Sequence, residues 1–381
     1  MDFTFLKKRS SLYRTIGLSL LLVGCDFQQD QSAQFDWQLR KDFPAPQVPA
    51  DNPMTREKVT LGRHLFYDKK LSANQTQACA SCHLQANAFA EPLSTSIGST
   101  GQKHRRNAPA LVNIAYNKNL TWAHDGLQTI ERQLLLPMFG EDPIELGISG
   151  HEAEVLARFK TPDYLPLFDA AFPGEAVSFD LINKALSSFV RSLVSLNSPF
   201  DRYAYDGVDS ALSESAIRGM TLFFSEKLEC HHCHGGFNFT QSTAHEKQLL
   251  DRRPFHNTGL YFLDSTGGYP AQDIGLAEIT LSKEDNGKFR APSLRNVAVS
   301  APYMHDGSLA TLEAVIDFYA AGGHVIESGP LQGDGRQNPL KSIFVKGFEI
   351  TGEEKEDLLA FLHSLTDPTF LDNPELAAPK R

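Results

Sequence analysis

Apolar residues fall at three- and four-residue spacing over 181–196, 309–319 and 353–365, the repeat of helices that turn one face to a core. Gly322-Gly323 closes the second run, and Thr351 stands where a capping hydroxyl would open the third. Long runs of strict alternation, the mark of half-buried strands, are scarce. The pattern predicts a mainly α-helical chain.

One apolar run differs from these. Residues 16–24 follow Lys7, Lys8, Arg9 and Arg14 and are too few to span a bilayer, which takes roughly 20 residues per helix. This predicts a signal peptide over 1–24. The run ends in Leu22-Val23-Gly24-Cys25, which resembles a bacterial lipobox whose Cys25 becomes the lipidated first residue. Asp26 resembles an inner-membrane retention signal. The expectation is a periplasm-facing lipoprotein held to the inner membrane through its lipid alone. Residues 25–51, rich in Gln, Asp, Ala and Pro, read as a tether.

Composition narrows the class. The 381 residues are 41% hydrophobic and 22% charged, close to ordinary globular usage, which excludes wholesale disorder, collagen and a polytopic membrane protein. The net charge is −10, and four of the basic residues leave with the signal segment. An acidic body excludes a nucleic-acid binder.

The other four cysteines occur as Cys79-Ala80-Ser81-Cys82-His83 and Cys230-His231-His232-Cys233-His234. Two disulfides would suit an exported chain. CxxCH, however, is the attachment motif of c-type haem: two thiols add to the porphyrin vinyl groups, and the adjacent His, here His83 or His234, is placed to ligate the iron. Two covalent haems are expected. His231 and His232, at the variable positions of the second motif, are expected to be exposed.

The motifs sit within a longer repeat. Gly62-x-x-Leu65-Phe66-Tyr67-x-x-Lys70-Leu71 matches Gly219-x-x-Leu222-Phe223-Phe224-x-x-Lys227-Leu228. Downstream, Ala108-Pro109-Ala110-Leu111-x-Asn113 matches Ala291-Pro292-Ser293-Leu294-x-Asn296, and His124-Asp125-Gly126 matches His305-Asp306-Gly307. Two cytochrome-c-like haem domains related by duplication follow, over 52–205 and 206–370 with a tail at 371–381. They should join near 198–210. The second copy carries an insertion rich in Gly, Asp and Thr between His234 and Pro292, expected to be a surface excursion.

Eight residues beyond the matched Thr129 and Thr311 lie Pro137 and Tyr319. If this position faces the far side of each haem, the second iron can take Tyr319 as a ligand while the first stays open to a peroxide. Tyr319 is alternatively an aromatic on the buried face of its helix, and Met304, whose counterpart is Ala123, competes as a ligand.

These motifs, with Arg106-Asn107-Ala108-Pro109 and Ala301-Pro302-Tyr303-Met304-His305-Asp306-Gly307, resemble the bacterial diheme cytochrome c peroxidase and MauG family over about residues 52–368. Peroxidases of the family often carry a distal His in a Ser-Ile-Gly-His loop, where this chain has Ser96-Ile97-Gly98-Ser99. That departure and Tyr319 lean toward the MauG side. Phe139-Gly140-Glu141-Asp142-Pro143-Ile144-Glu145-Leu146-Gly147 and the run after Cys233 resemble more particularly the methanobactin-associated MbnH branch. Its members are linked to oxidation of a Trp in a copper-binding partner, with kynurenine as product.

The resemblance implies roles for single residues. Glu145 matches the distal acid that assists peroxide cleavage, Gln133 its polar neighbour, and Trp122 the tryptophan between the haems. Asn107 with the carbonyls of Ser300 and Pro302 matches an interhaem calcium site. His104 is either a replacement distal ligand or part of a solvated basic stretch with Lys103, Arg105 and Arg106. The resemblance implies hydrogen peroxide as oxidant and an exported redox or copper-binding protein as partner. The alternative is a peroxidase that detoxifies peroxide with electrons from a small cytochrome or cupredoxin.

Overall fold

Hydroxyl caps open the long helices. The computed structural model describes residues 35–40, 43–245 and 255–380. The signal segment and Cys25 lie outside the described residues. Thr55 caps the helix Arg56–Tyr67, and Ser178 caps Phe179–Arg191. Ser213 caps Glu214–Phe223, and Thr351 forms a reciprocal box with Glu354 to start Gly352–Ser364. Each cap satisfies an N–H that the first helical turn would leave without a partner.

These helices cross in two pairs, each at a glycine. A Cβ on Gly62 would stand 2.0 Å from the carbonyl oxygen of Ala185, and one on Gly219 would stand 1.8 Å from that of Asp357. The matched glycines let backbone touch backbone. Gly219→Ala is expected to force the second pair apart and cost about 1–3 kcal/mol. Gly352→Ala, where nothing lies within 4 Å, should change stability by less than about 0.5 kcal/mol. Chemical denaturation of the two variants side by side checks both.

Other paired features recur. Asn113 and Asn296 both adopt left-handed backbone ahead of a short 3-10 turn. Their amides bond the carbonyls of Leu193 and Leu365, just past the ends of the respective second helices. Asn113 and Asn296 also meet at Ser195, which in turn donates to the buried Asp367. The described residues form one compact unit. Its apolar side chains gather in three clusters, two built on the helix pairs and a third around Trp122. Among the described residues, strand is confined to two short antiparallel pairs: Phe255–His256 with Phe289–Arg290, and Val325–Ile326 with Gly333–Asp334. Among the described residues no helix is long and apolar enough to cross a membrane.

Several expectations change in the fold. The helix expected over 181–196 ends at Arg191, because Leu193 and Leu196 find burial in a loop instead. The expected joint is a capped helix, Pro199–Asp206, pinned by a fully buried ion pair between Asp201 and Arg295 at 2.5 Å. The end of the expected tether is docked: Phe43 packs on Tyr205 and Phe237, and the Tyr116 hydroxyl donates to the Pro44 carbonyl. The tail is docked too, with Leu376 buried and Arg63 donating to the Ala377 carbonyl at 2.6 Å. The insertion is no mere surface excursion, because its Leu260, Tyr261, Tyr269 and Phe289 build the third cluster with Trp122. Aromatic side chains explain the change, since each offers apolar area that loop polarity alone conceals.

Candidate haem sites and the layer between them

No two of the four motif cysteines are joined in a disulfide, which speaks against the disulfide reading. Each motif forms a short helical turn, Cys79–Cys82 and His231–His234. Behind each motif a phenylalanine in left-handed conformation, Phe89 (φ 60°) or Phe239 (φ 50°), turns its carbonyl to the histidine. His83 Nδ1 lies 2.7 Å from the Phe89 oxygen. His234 Nδ1 lies 3.2 Å from that of Phe239 and 3.1 Å from that of Pro292. An Nδ1–H held by a carbonyl leaves the Nε2 lone pair free for a metal. Burial lowers the pKa of both rings, His234 to about 4, so both are neutral at pH 7 as a ligand must be.

The second motif opens on an apolar cavity. Cys230, Cys233 and His234 line it together with Tyr319, Met304 and Leu362. Burial raises the Tyr319 hydroxyl, with the two attachment cysteines adding to it, so both candidate distal groups share the cavity with the motif. Arg290 lines the same cavity, buried, with Nη1 lacking any partner and Nε donating to the Thr121 carbonyl at 2.9 Å. Burial lowers its pKa to about 10. An apolar chamber with one unpaired guanidinium fork fits a macrocycle whose edge carries carboxylates. Sequence reasoning missed Arg290, although the repeat aligns it with Asn107 and so marks the position.

The two aligned positions interlock the halves. The Asn107 amide bonds the His305 carbonyl at 2.7 Å, and the Arg290 amide bonds the Trp122 carbonyl at 2.7 Å. Trp122 is 9% exposed, and its indole donates to the Asn107 carbonyl at 2.8 Å. It belongs to the first copy yet walls the cavity of the second, beside Pro109 and Ala110. Asn107, Ser300 and Pro302 line that cavity as well.

On the first side the Ser96–Ser99 loop lies against the Glu145 backbone. Ser99 N–H donates to the Glu145 carbonyl at 2.8 Å, and a Cβ on Gly98 would stand 1.8 Å from the Ile144 oxygen. The Glu145 side chain stands in a recess. Although 42% of its surface is open, surrounding protein displaces enough water to push its carboxyl up to about 7. Its charge adds to burial in pushing the Cys79 thiol up to about 12, so it stands near the first motif. His104 Nδ1 is 3.9 Å from Glu145 Oε1, and burial lowers its pKa. Gln133 Oε1 is buried without a partner.

Lys103 and Arg105 are exposed, as a solvated stretch would be, while Arg106 is half-buried. Arg106 grips Asp273 of the insertion at 2.7 and 2.6 Å, and Arg105 grips Glu278 at 2.7 Å. Sequence reasoning also missed Glu91, a buried carboxyl that accepts from the Ser96 hydroxyl and whose charge reaches Cys82. His231 and His232, expected to be exposed, are half-buried.

Two haem-attachment motifs, each backed by a neutral histidine, define a diheme c-type redox protein. Residues 56–210 match the family described as di-haem cytochrome c peroxidase. Cytochrome-c peroxidase IdrP1 of Pseudomonas sp. (strain SCT) is 34% identical over 88% of this chain and 88% of its own. Methylamine utilization protein MauG of Methylophilus methylotrophus is 32% identical over 86% of this chain and 88% of its own. A solved MauG-like protein associated with microbial copper homeostasis is 50% identical, covers 91% of this chain and 100% of its own, and superimposes with a TM-score of 0.89. The chain belongs to the di-haem cytochrome c peroxidase and MauG family and is an oxidoreductase of that kind.

Proposed function

We propose that this chain uses hydrogen peroxide to oxidise an exported partner protein, in the manner of the MbnH branch, with a Trp of a copper-binding partner as the residue oxidised. The observation that carries the reading is the unlike surroundings of the two attachment sites. Tyr319 stands in the second cavity with His234, whereas Pro137, its counterpart, accepts a hydrogen bond from the Leu146 amide. The 50% identity to a MauG-like protein of copper homeostasis supports the choice of partner.

Bound at the cysteine pairs, two haems supply redox iron, one centre to react with peroxide and one to hold oxidising equivalents. The chain supplies the rest. His83 and His234 offer neutral Nε2 atoms as proximal ligands. Glu145 exchanges a proton at its carboxylate oxygens near pH 7, which moving a proton from one peroxide oxygen to the other requires. Gln133 offers an unpaired oxygen as a second polar contact. Tyr319 presents a phenolic oxygen to the second site, with Met304 the competing ligand. Trp122 gives an oxidisable ring in the layer between the sites. Asn107 with the Ser300 and Pro302 carbonyls forms an oxygen-donor set for calcium. In the same reading the chain is a lipoprotein anchored through Cys25, and its two helix pairs are duplicated haem domains.

The similarity to proteins named cytochrome-c peroxidase favours a second reading, peroxide removal with electrons from a small cytochrome or cupredoxin. Peroxide added to the haem-loaded protein together with a Trp-containing exported copper-binding protein separates the two. Mass spectrometry is expected to find oxygen added at one partner Trp. Fast turnover with reduced cytochrome c and an unmodified partner would overturn the proposal.

A further inference from the structure

We propose a second metal site, for a late first-row divalent ion such as Zn2+ or Cu2+, on the attachment loop of the second haem, formed by His231, His232 and Glu226. The ligand atoms of these three residues converge within 4.8 Å of one another. His231 Nε2 stands 3.6 Å from Glu226 Oε1, and His232 Nε2 stands 3.5 Å from Glu226 Oε2. Those separations exceed the usual range of N–H···O hydrogen bonds. Each is close to the separation of neighbouring ligands around a tetrahedral ion, about 3.4 Å for metal–ligand bonds near 2.1 Å, with the two histidines facing different oxygens of one carboxylate.

The rings are held for this. His231 and His232 lie 4.2 Å apart at 33°, and His232 stacks on Phe344 at 4.3 Å and 15°. Glu229, itself held by Lys346 at 2.6 Å, accepts from His232 Nε2 at 2.7 Å. An ion displaces that proton, as metal binding to imidazole does. Two imidazoles and a carboxylate select zinc or copper over calcium or magnesium. Glu226 is 79% exposed and provides the route of entry. Phe344 lines the cavity of the second haem, so an ion here sits one aromatic layer from it. The site stands independently of the peroxide reaction.

The haem-loaded, tag-free protein is titrated with Zn2+ by calorimetry and with Cu2+ by electron paramagnetic resonance. One equivalent of Zn2+ is expected, with nitrogen hyperfine structure in the Cu2+ spectrum. Glu226→Gln, which leaves the attachment motif untouched, should weaken Zn2+ at least tenfold with two haems per chain retained. Combined replacement of His231 and His232 by Asn should abolish that equivalent. Unchanged Zn2+ affinity in Glu226→Gln, a Cu2+ spectrum without nitrogen, or an equivalent that survives the double variant would sink the proposal. If the double variant loads haem poorly, Glu226→Gln decides alone.

Discussion

Glu145→Gln is expected to lower peroxide-dependent oxidation by about 10²–10⁴-fold, the usual worth of a positioned proton carrier, with both haems still attached. Glutamine keeps the shape of the side chain and cannot exchange the proton. The carboxyl titrates near 7 because protein displaces water from its charged form. The wild-type rate should therefore rise with pH through about 7 as the carboxylate forms, and the variant should lose that limb. Stopped-flow rates of peroxide consumption from pH 5 to 9 measure both. For stability the sign is opposite. A carboxyl raised from its ordinary 4.5 favours the folded state most at low pH, and this advantage fades as pH rises from 4.5 to about 7. An equally steep limb in Glu145→Gln would assign the titration to another group, with His104 next in position.

Tyr319→Phe carries the second large effect. Removing a phenolic oxygen from the second cavity should raise the reduction potential of that haem by on the order of 0.1 V, within the roughly 0.8 V that axial ligands span. If Tyr319 ligates the second iron as a phenolate, as proposed, partner oxidation should fall at least about tenfold, because an anionic ligand favours the more highly charged iron. Met304→Leu, in the same cavity, is the control. It leaves the resting spectrum unchanged if Tyr319 is the ligand and changes it if Met304 is. Redox titration of the three proteins reads the ligand directly. Two low-spin, six-coordinate haems in the resting wild type would contradict an open first site.

Much of this was legible in the chain. The cysteine pairs and adjacent histidines, the matched Gly62 and Gly219, the Thr351 cap and the paired Asn113 and Asn296 could all be read before any coordinates. Glu145, Trp122 and Tyr319 were singled out as well, two of them through resemblance to a family and not through spacing. What stayed hidden was partnership. Nothing near Arg106 announces Asp273, and nothing near Trp122 announces the insertion that covers it. Within an exposed basic stretch Arg106 became a clamp on Asp273, and part of a presumed excursion became core.

The division has a physical basis. Haem attachment needs two thiols and an imidazole a few residues apart, and a helix cap needs a hydroxyl three residues before its amide, so both are written in short stretches of sequence. Whether Arg290 keeps an unpaired N–H in an apolar chamber, or Glu145 titrates near 7, depends on which distant segments exclude water there. Solvent exclusion belongs to the packed chain. The sequence by itself determined what chemistry this protein can hold, and the tertiary structure decided which side chains surround each centre and in what state of charge.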